Sequence, residues 1–265
     1  MMTESADVLR LHGPGTERFV DEVVVEEPLE IRVEGRSLAV TMRTPGHDAE
    51  LAAGFLLSEG VISRKSDLFD IVRCPSADSS GNVVDAVLAD PAIFAPEKFT
   101  RHVFSSASCG ICGRATLEQL GNAHPAVASA FSLDRAALFA LPSALEAAQS
   151  AFQKTGGIHA AALFDCSGAI LEMREDVGRH NAVDKLLGWA LLGGRLPLDQ
   201  AGLLVSGRVS FEIVQKARAG GIGVIAAIGA ASSLAVRAAE DGGQTLAGFL
   251  RGGRVNVYCG ESRIR

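Results

Sequence analysis

From about Leu133 onward, short apolar runs alternate with segments of helical period, and this alternation restricts the fold more than any other feature of the chain. Apolar runs of strand length fall at residues 159–164, 169–173, 202–205, 223–228, 245–250 and 255–259. Between them, residues 136–155 read as helical, as do residues 181–192, whose Ala182, Val183, Leu186, Leu187, Ala190 and Leu191 share one face. Ser210 and Ser232 stand where N-caps belong, ahead of helices reaching Ala219 and Glu240. Short strands separated by helices predict a three-layer α/β unit with a largely parallel sheet. A hydrophobic content of 48% is enough to pack its core.

The first hundred residues follow another pattern. Residues 1–20 are polar, broken by Gly13-Pro14-Gly15, and read as a flexible tail. Residues 21–31, rich in Val and Glu, suit an extended segment; Glu34-Gly35-Arg36 suits a turn and residues 37–42 its hairpin partner. Residues 47–59 read as a helix with Leu51, Ala52, Phe55 and Leu56 on one face and Gly60 as its stop. Residues 68–74 and 82–88 complete a β-β-α-β-β order. The expected organisation is therefore a tail (1–20), a small α/β roll (21–100), a Gly/Ser-rich connection (101–125) and a larger α/β domain (126–265).

Several classes are disfavoured. A net charge of -6 argues against a whole-chain grip on nucleic acid or an anionic membrane, and one Trp with one Tyr leaves little for base stacking. The N-terminus MMTESADVLRLHGPG has no apolar signal core. The uncharged run between Arg218 and Arg237 approaches membrane-spanning length, but Gly220, Gly221, Gly223, Gly229, Ser232 and Ser233 point to a strand, a turn and a new helix. The reading is a soluble, cytoplasmic protein. Five cysteines, an odd number, do not make a secreted disulfide framework.

In open α/β sheets, ligands bind beyond the carboxyl ends of the strands, near helix N-termini. Those positions here carry Arg179-His180-Asn181, Ser206-Gly207-Arg208, Gly229 to Ser233, and Arg251-Gly252-Gly253-Arg254. If the strand ends share one rim, Arg179, Arg208, Arg251 and Arg254 converge with free helix amides into a phosphate or pyrophosphate site. Each piece alone is an ordinary turn.

Cys109-Gly-Ile-Cys112 is the most reactive-looking motif. Two thiols at this spacing can carry a persulfide, form a disulfide or supply half of a zinc site, for instance across a dimer. Cys74, Cys166 and Cys259 stand in strand-like contexts and read as core residues. His159 opens an apolar strand as His-Ala-Ala. A zinc deaminase needs Glu at the second position after that His and a later Pro-Cys-x-x-Cys. Ala161 and the lack of a later pair exclude that chemistry.

Five segments in order, Ser-Cys-Gly-Ile-Cys-Gly, Gly-Gly-Ile-His-Ala-Ala-Ala-Leu-Phe, Glu-Asp-Val-Gly-Arg-His-Asn-Ala-Val-Asp-Lys, Ser-Gly-Arg-Val-Ser-Phe-Glu and Gly-Phe-Leu-Arg-Gly-Gly-Arg, resemble the FdhD/NarQ family, the formate dehydrogenase accessory sulfurtransferases. The resemblance runs from about residue 20 to the C-terminus. It implies a carrier that takes persulfide sulfur from a cysteine desulfurase. The sulfur passes to molybdenum bis-molybdopterin guanine dinucleotide before that cofactor enters formate dehydrogenase. It also implies Cys109 as the persulfide carrier with Cys112 assisting, and a cofactor-binding segment at Phe249, Leu250, Arg251, Gly252, Gly253 and Arg254. A cytidine-deaminase-like larger domain, a homodimer and no intrinsic metal follow from the same resemblance. The competing functional reading is a chaperone that binds and delivers the cofactor without moving sulfur.

Overall fold

The computed structural model describes residues 2–74, 81–95 and 124–265. Residues 1–20 are not a loose tail. Strands β1 (Thr3–His12) and β2 (Gly15–Val24) form an antiparallel hairpin, with Gly13 in the left-handed region at its turn. Val8 and Phe19 face each other across it, Arg10 stacks 4.1 Å over Phe19, and the Val25 amide closes the base on the Met2 carbonyl. These cross-strand pairs supply what the polar composition concealed.

A four-stranded sheet follows. Its strands are β3 (Glu27–Val33), β4 (Arg36–Arg43), β5 (Leu68–Arg73) and β6 (Val83–Leu88), in the order β4-β3-β6-β5. Helix α1 (Asp48–Ser58) connects β4 to β5 and packs on this sheet. Arg43 and Asp48, each 2% exposed, pair at 2.9 Å and pin the start of the helix to the end of β4.

The larger sheet has six strands: β7 (His159–Phe164), β8 (Ile170–Asp176), β9 (Gly202–Val205), β10 (Val224–Ala227), β11 (Thr245–Arg251) and β12 (Arg254–Cys259). The order is β12-β11-β10-β9-β7-β8. This sheet is mixed, not largely parallel: β9–β10 and β10–β11 are parallel, whereas β7–β8, β7–β9 and β11–β12 are antiparallel. Two tight turns account for the β7–β8 and β11–β12 pairs. Asp165 gathers the amides of Ser167 and Ala169, and Gly252-Gly253 are both left-handed, so each apolar run folds back on its neighbour.

The expected helix over residues 136–155 divides at Gln149 into α2 (Arg135–Ala148) and α3 (Ser150–Thr155), where the Glu175 carboxylate accepts from the amides of Ala151 and Phe152. Helices α4 (Arg179–Leu192), α5 (Phe211–Ala219) and α6 (Ser233–Asp241) complete the chain. Alternate strand residues face opposite ways. Ala161, Leu163, Leu203, Val205, Ile225 and Leu246 pack with α4, α5 and α6; Ala160, Ala162, Phe164, Leu204, Val224 and Ala226 pack with α2. The uncharged run becomes β10, a turn and the start of α6. Among the described residues no helix is long and apolar enough to cross a membrane. Of the three cysteines expected in the core, only Cys259 is buried; Cys166 is exposed in the β7–β8 turn and Cys74 is intermediate.

Helix α4 crosses α1 at backbone contact. A Cβ on Gly54 would lie 1.8 Å from the Asp184 carbonyl oxygen, and one on Gly188 would lie 1.8 Å from that of Glu50. Around this crossing run polar ties. Arg174 holds Glu50 through two hydrogen bonds of 2.6 and 2.9 Å. Lys185 pairs with Asp176 at 2.6 Å, both about fully buried, and donates to the Thr44 carbonyl. Lys216 and Ser58 both donate to Asp184.

Gly54→Ala and Gly188→Ala are each expected to lower the unfolding free energy by at least about 3 kcal/mol, because a backbone carbonyl cannot step aside. Gly157→Ala, whose Cβ would meet only Val24 at 3.6 Å and the Thr155 carbonyl oxygen at 3.8 Å, is expected to cost less than about 1 kcal/mol. Denaturant titration of the three variants checks this.

Burial alone would raise the Glu50 carboxyl, but His47 and Arg174 outweigh it and hold it down at about 2, against an ordinary 4.5. A depressed carboxylate contributes stability above its unfolded value and loses it as pH falls through its folded value. The contribution is therefore complete above about pH 4.5 and disappears toward about pH 2. Unfolding titrations across that window should show a smaller acid loss for Glu50→Gln than for the wild type. Equal losses would contradict the assignment.

Candidate functional site

The turns after β9 and β10 and the end of β11 lie side by side. The Gly229 amide donates to the Gly207 carbonyl at 3.2 Å, and the Phe249 amide donates to the Gly229 carbonyl at 2.9 Å. Val209 bridges Ala231, and Ser206 Oγ accepts from the Ala160 amide of β7. Gly229 has to be glycine, since a Cβ there would meet the Gly207 carbonyl oxygen at 2.6 Å. Phe249 adopts a left-handed backbone (φ 54), rare for an aromatic residue. Its ring lies 5.7 Å from the Arg251 guanidinium carbon.

Cationic groups gather at the β7–β9 end of this edge. Arg179 is the first residue of α4 and Arg208 sits in the turn before α5. Both push the His159 imidazole toward its neutral form, as does burial, the largest cause; Asp176 opposes them. The Arg179 Nε atom is buried and has no hydrogen-bond partner among the described residues. Helices α4 and α5 both begin here without a side-chain cap. Ser210, expected to cap α5, instead meets His180 Nε2 at 3.1 Å. Burial, then the charges of Lys216 and Arg179, push His180 down to about 3, so it is neutral at physiological pH. Two guanidiniums, a neutral imidazole and two helix N-termini without side-chain caps are chemically suited to a multiply charged anion.

The other expected residues divide. Ser206 and Gly207 form the floor beside His159: a Cβ on Gly207 would lie 3.4 Å from His159 Nδ1 and 3.7 Å from Arg179 Cδ. Phe249 joins this floor through Gly229. Asn181 is turned away, donating to the Met42 carbonyl and to Asp176, and so ties α4 to β4. Leu250 is fully buried in the core beneath α2. Arg251 and Arg254 face each other at the tip of the β11–β12 hairpin, and Arg254 borders a separate cleft of about 360 Å³ with Arg135 and Phe139. A larger cleft of about 730 Å³ opens beside Gly194 and Gly221, past the far ends of α4 and α5. Cys109 and Cys112 lie outside the described residues. Among the described residues, no group of three or more His, Cys, Asp or Glu could hold a metal ion.

Sequence reasoning weighed His159 only as a remnant metal ligand and missed it as a member of the cationic group. Its position as the first residue of an apolar strand was the available signal, because antiparallel pairing sets it opposite Asp176, three residues before Arg179.

The fold is a mixed α/β arrangement of three sheets, with a cation-lined loop edge on the largest. The FdhD/NarQ family model matches residues 24–265, and the chain belongs to that family. It is 48% identical to the sulfur carrier protein FdhD of Streptomyces avermitilis over 99% of this chain and 96% of that one. It is 50% identical to the protein of the same name from Mycolicibacterium paratuberculosis, over 92% of each. Its fold matches, with a TM-score of 0.80 and 24% identity over the full length of both chains, a crystal structure from Desulfotalea psychrophila assigned as a formate dehydrogenase accessory protein.

Gly207→Val would push methyl groups between His159 and Arg179. It is expected to change the unfolding free energy by less than about 1 kcal/mol, while weakening pyrophosphate binding at least about tenfold. Calorimetric titration alongside denaturant unfolding separates the two effects.

Proposed function

We propose that this chain is a sulfurtransferase that accepts persulfide sulfur from a cysteine desulfurase and passes it to molybdenum bis-molybdopterin guanine dinucleotide, in the service of formate dehydrogenase. The observation that carries this reading is family membership over nearly the whole chain, with sulfur carrier proteins at 48–50% identity. The cationic edge supports it, since a guanine dinucleotide carries a pyrophosphate that Arg179, Arg208 and the open helix amides suit. Phe249, Arg251, Gly252, Gly253 and Arg254 extend the cargo surface from that edge, with His180, Ser206 and Gly207 around the phosphates. Asn181 and Leu250 act as supports and not as contacts.

Cys109 is the carrier. Its thiolate attacks the outer sulfur of the desulfurase persulfide, the S–S bond breaks, and the desulfurase thiolate leaves. The Cys112 thiolate then attacks the inner sulfur of the Cys109 persulfide. That step forms a Cys109–Cys112 disulfide and releases the outer sulfur as hydrosulfide to the cargo; a thiol reductant restores both cysteines. Residues 101–125 carry the cysteine pair between the four-stranded sheet with α1 and the cofactor-binding domain of residues 126–265, which is arranged like a cytidine deaminase. The chain works in the cytoplasm as a homodimer and needs no metal of its own.

Intact mass after incubation with a cysteine desulfurase and cysteine is expected to show one added sulfur that a thiol reductant removes. Cys109→Ala should abolish both the addition and the maturation of formate dehydrogenase. Cys112→Ala should keep the addition and lose the release. Full maturation by Cys109→Ala would replace this reading with that of a delivery chaperone.

A further inference from the structure

His159 has no part in the persulfide chemistry, yet it occupies the centre of the cationic edge. It opens β7, half-buried, with Nδ1 over Gly207 and the Arg179 side chain flanking the same point. No described residue hydrogen-bonds its ring nitrogens. The charged or titratable groups around it are Asp176, Arg179 and His180 from β8 and α4, and Arg208 from the turn before α5. Asp176 is already engaged: it pairs with Lys185 at 2.6 Å and accepts from the amides of Thr44 and Gly178. His180 faces Ser210 just ahead of α5 and Glu212 and Lys216 on α5, and stays neutral. The two guanidiniums therefore dominate the field at His159.

We propose that His159 is the proton-accepting member of this anion site: a pyrophosphate-bearing ligand seated between Arg179 and Arg208 draws a proton onto the imidazole, which becomes the third cation holding it. The inference rests on the reading of the edge as the cargo's pyrophosphate site. Its physical basis is a reversal of field. In the free protein, burial and two neighbouring positive charges disfavour the imidazolium. A bound anion neutralises those charges and adds a negative one at the same point, which favours it. The proton comes from solvent and no bond to the ligand is made or broken. Binding thus takes up a proton, and affinity rises as pH falls. The unpartnered Arg179 Nε gains its missing hydrogen bond in the same event.

The test uses the full chain and diguanosine pyrophosphate, a diester whose phosphates carry no proton that titrates near neutrality. Calorimetric titrations at about pH 6.5, the ordinary histidine value, are run in buffers of different ionisation enthalpy. The expected result is net uptake of a substantial fraction of one proton, with affinity tightening by up to about tenfold per pH unit of acidification. In His159→Gln both the uptake and the pH slope should vanish. The wild-type His159 Cε1 proton, followed by NMR with and without the diester, gives the same answer with no variant: its titration midpoint should rise on binding. Binding without proton uptake, or uptake that persists in His159→Gln, overturns the inference and leaves the cargo-site reading standing. Failure of the diester to bind at any pH overturns both.

Discussion

The crossing of α1 and α4 is the constraint from which the rest of the molecule takes its geometry. Two glycines, 54 and 188, let each helix press its backbone against a carbonyl of the other. Once the helices are this close, neither can rotate or slide without a steric clash. Helix α4 also begins at the cationic edge, so the same contact fixes where Arg179 and His180 stand. The small sheet is thereby a buttress for the large one, and Asn181, Asp184 and Lys185 extend the grip along one helix.

The electrostatics follow from this frame. The chain is acidic overall, and many of its carboxylates are consumed internally. Asp48 holds Arg43 and Arg73, Glu50 holds Arg174, Asp176 holds Lys185, and Asp184 holds Lys216. Breaking the Lys185–Asp176 pair, buried on both sides, costs about 3–5 kcal/mol, because the survivor keeps its charge without solvent. Arg179 and Arg208 are in no ion pair among the described residues, which leaves their fields directed at the loop edge. Local cation excess on an acidic protein arises from which charges remain unpartnered and not from composition.

Much of this was legible in the residues, and the failures have physical reasons. Apolar runs located β7, β9, β10 and β11 because burial on both faces needs continuous hydrophobic sequence. Strand direction was less legible, since a run such as Arg254–Cys259 has the same pattern either way round, and the two glycines before it set it antiparallel to β11. The N-terminal hairpin escaped because an exposed ribbon needs no apolar face, only pairs such as Arg10 with Phe19. Asn181 neighbours Arg179 and His180 in the motif, yet its amide serves Met42 and Asp176. Helical geometry turns successive side chains about 100° apart, so adjacent residues in a motif serve different partners. Ser210 matched a cap by position, but His180 competes for its hydroxyl.

The amide-to-carbonyl steps from Phe249 to Gly229 to Gly207 join two turns and the end of β11 into one stiffened plate. Loops that close around a ligand incur their loss of conformational freedom when the ligand arrives. A plate assembled during folding has incurred it already, so association loses less entropy there and the cradle holds its shape while empty. Such a surface is suited to fast capture and release of a ligand.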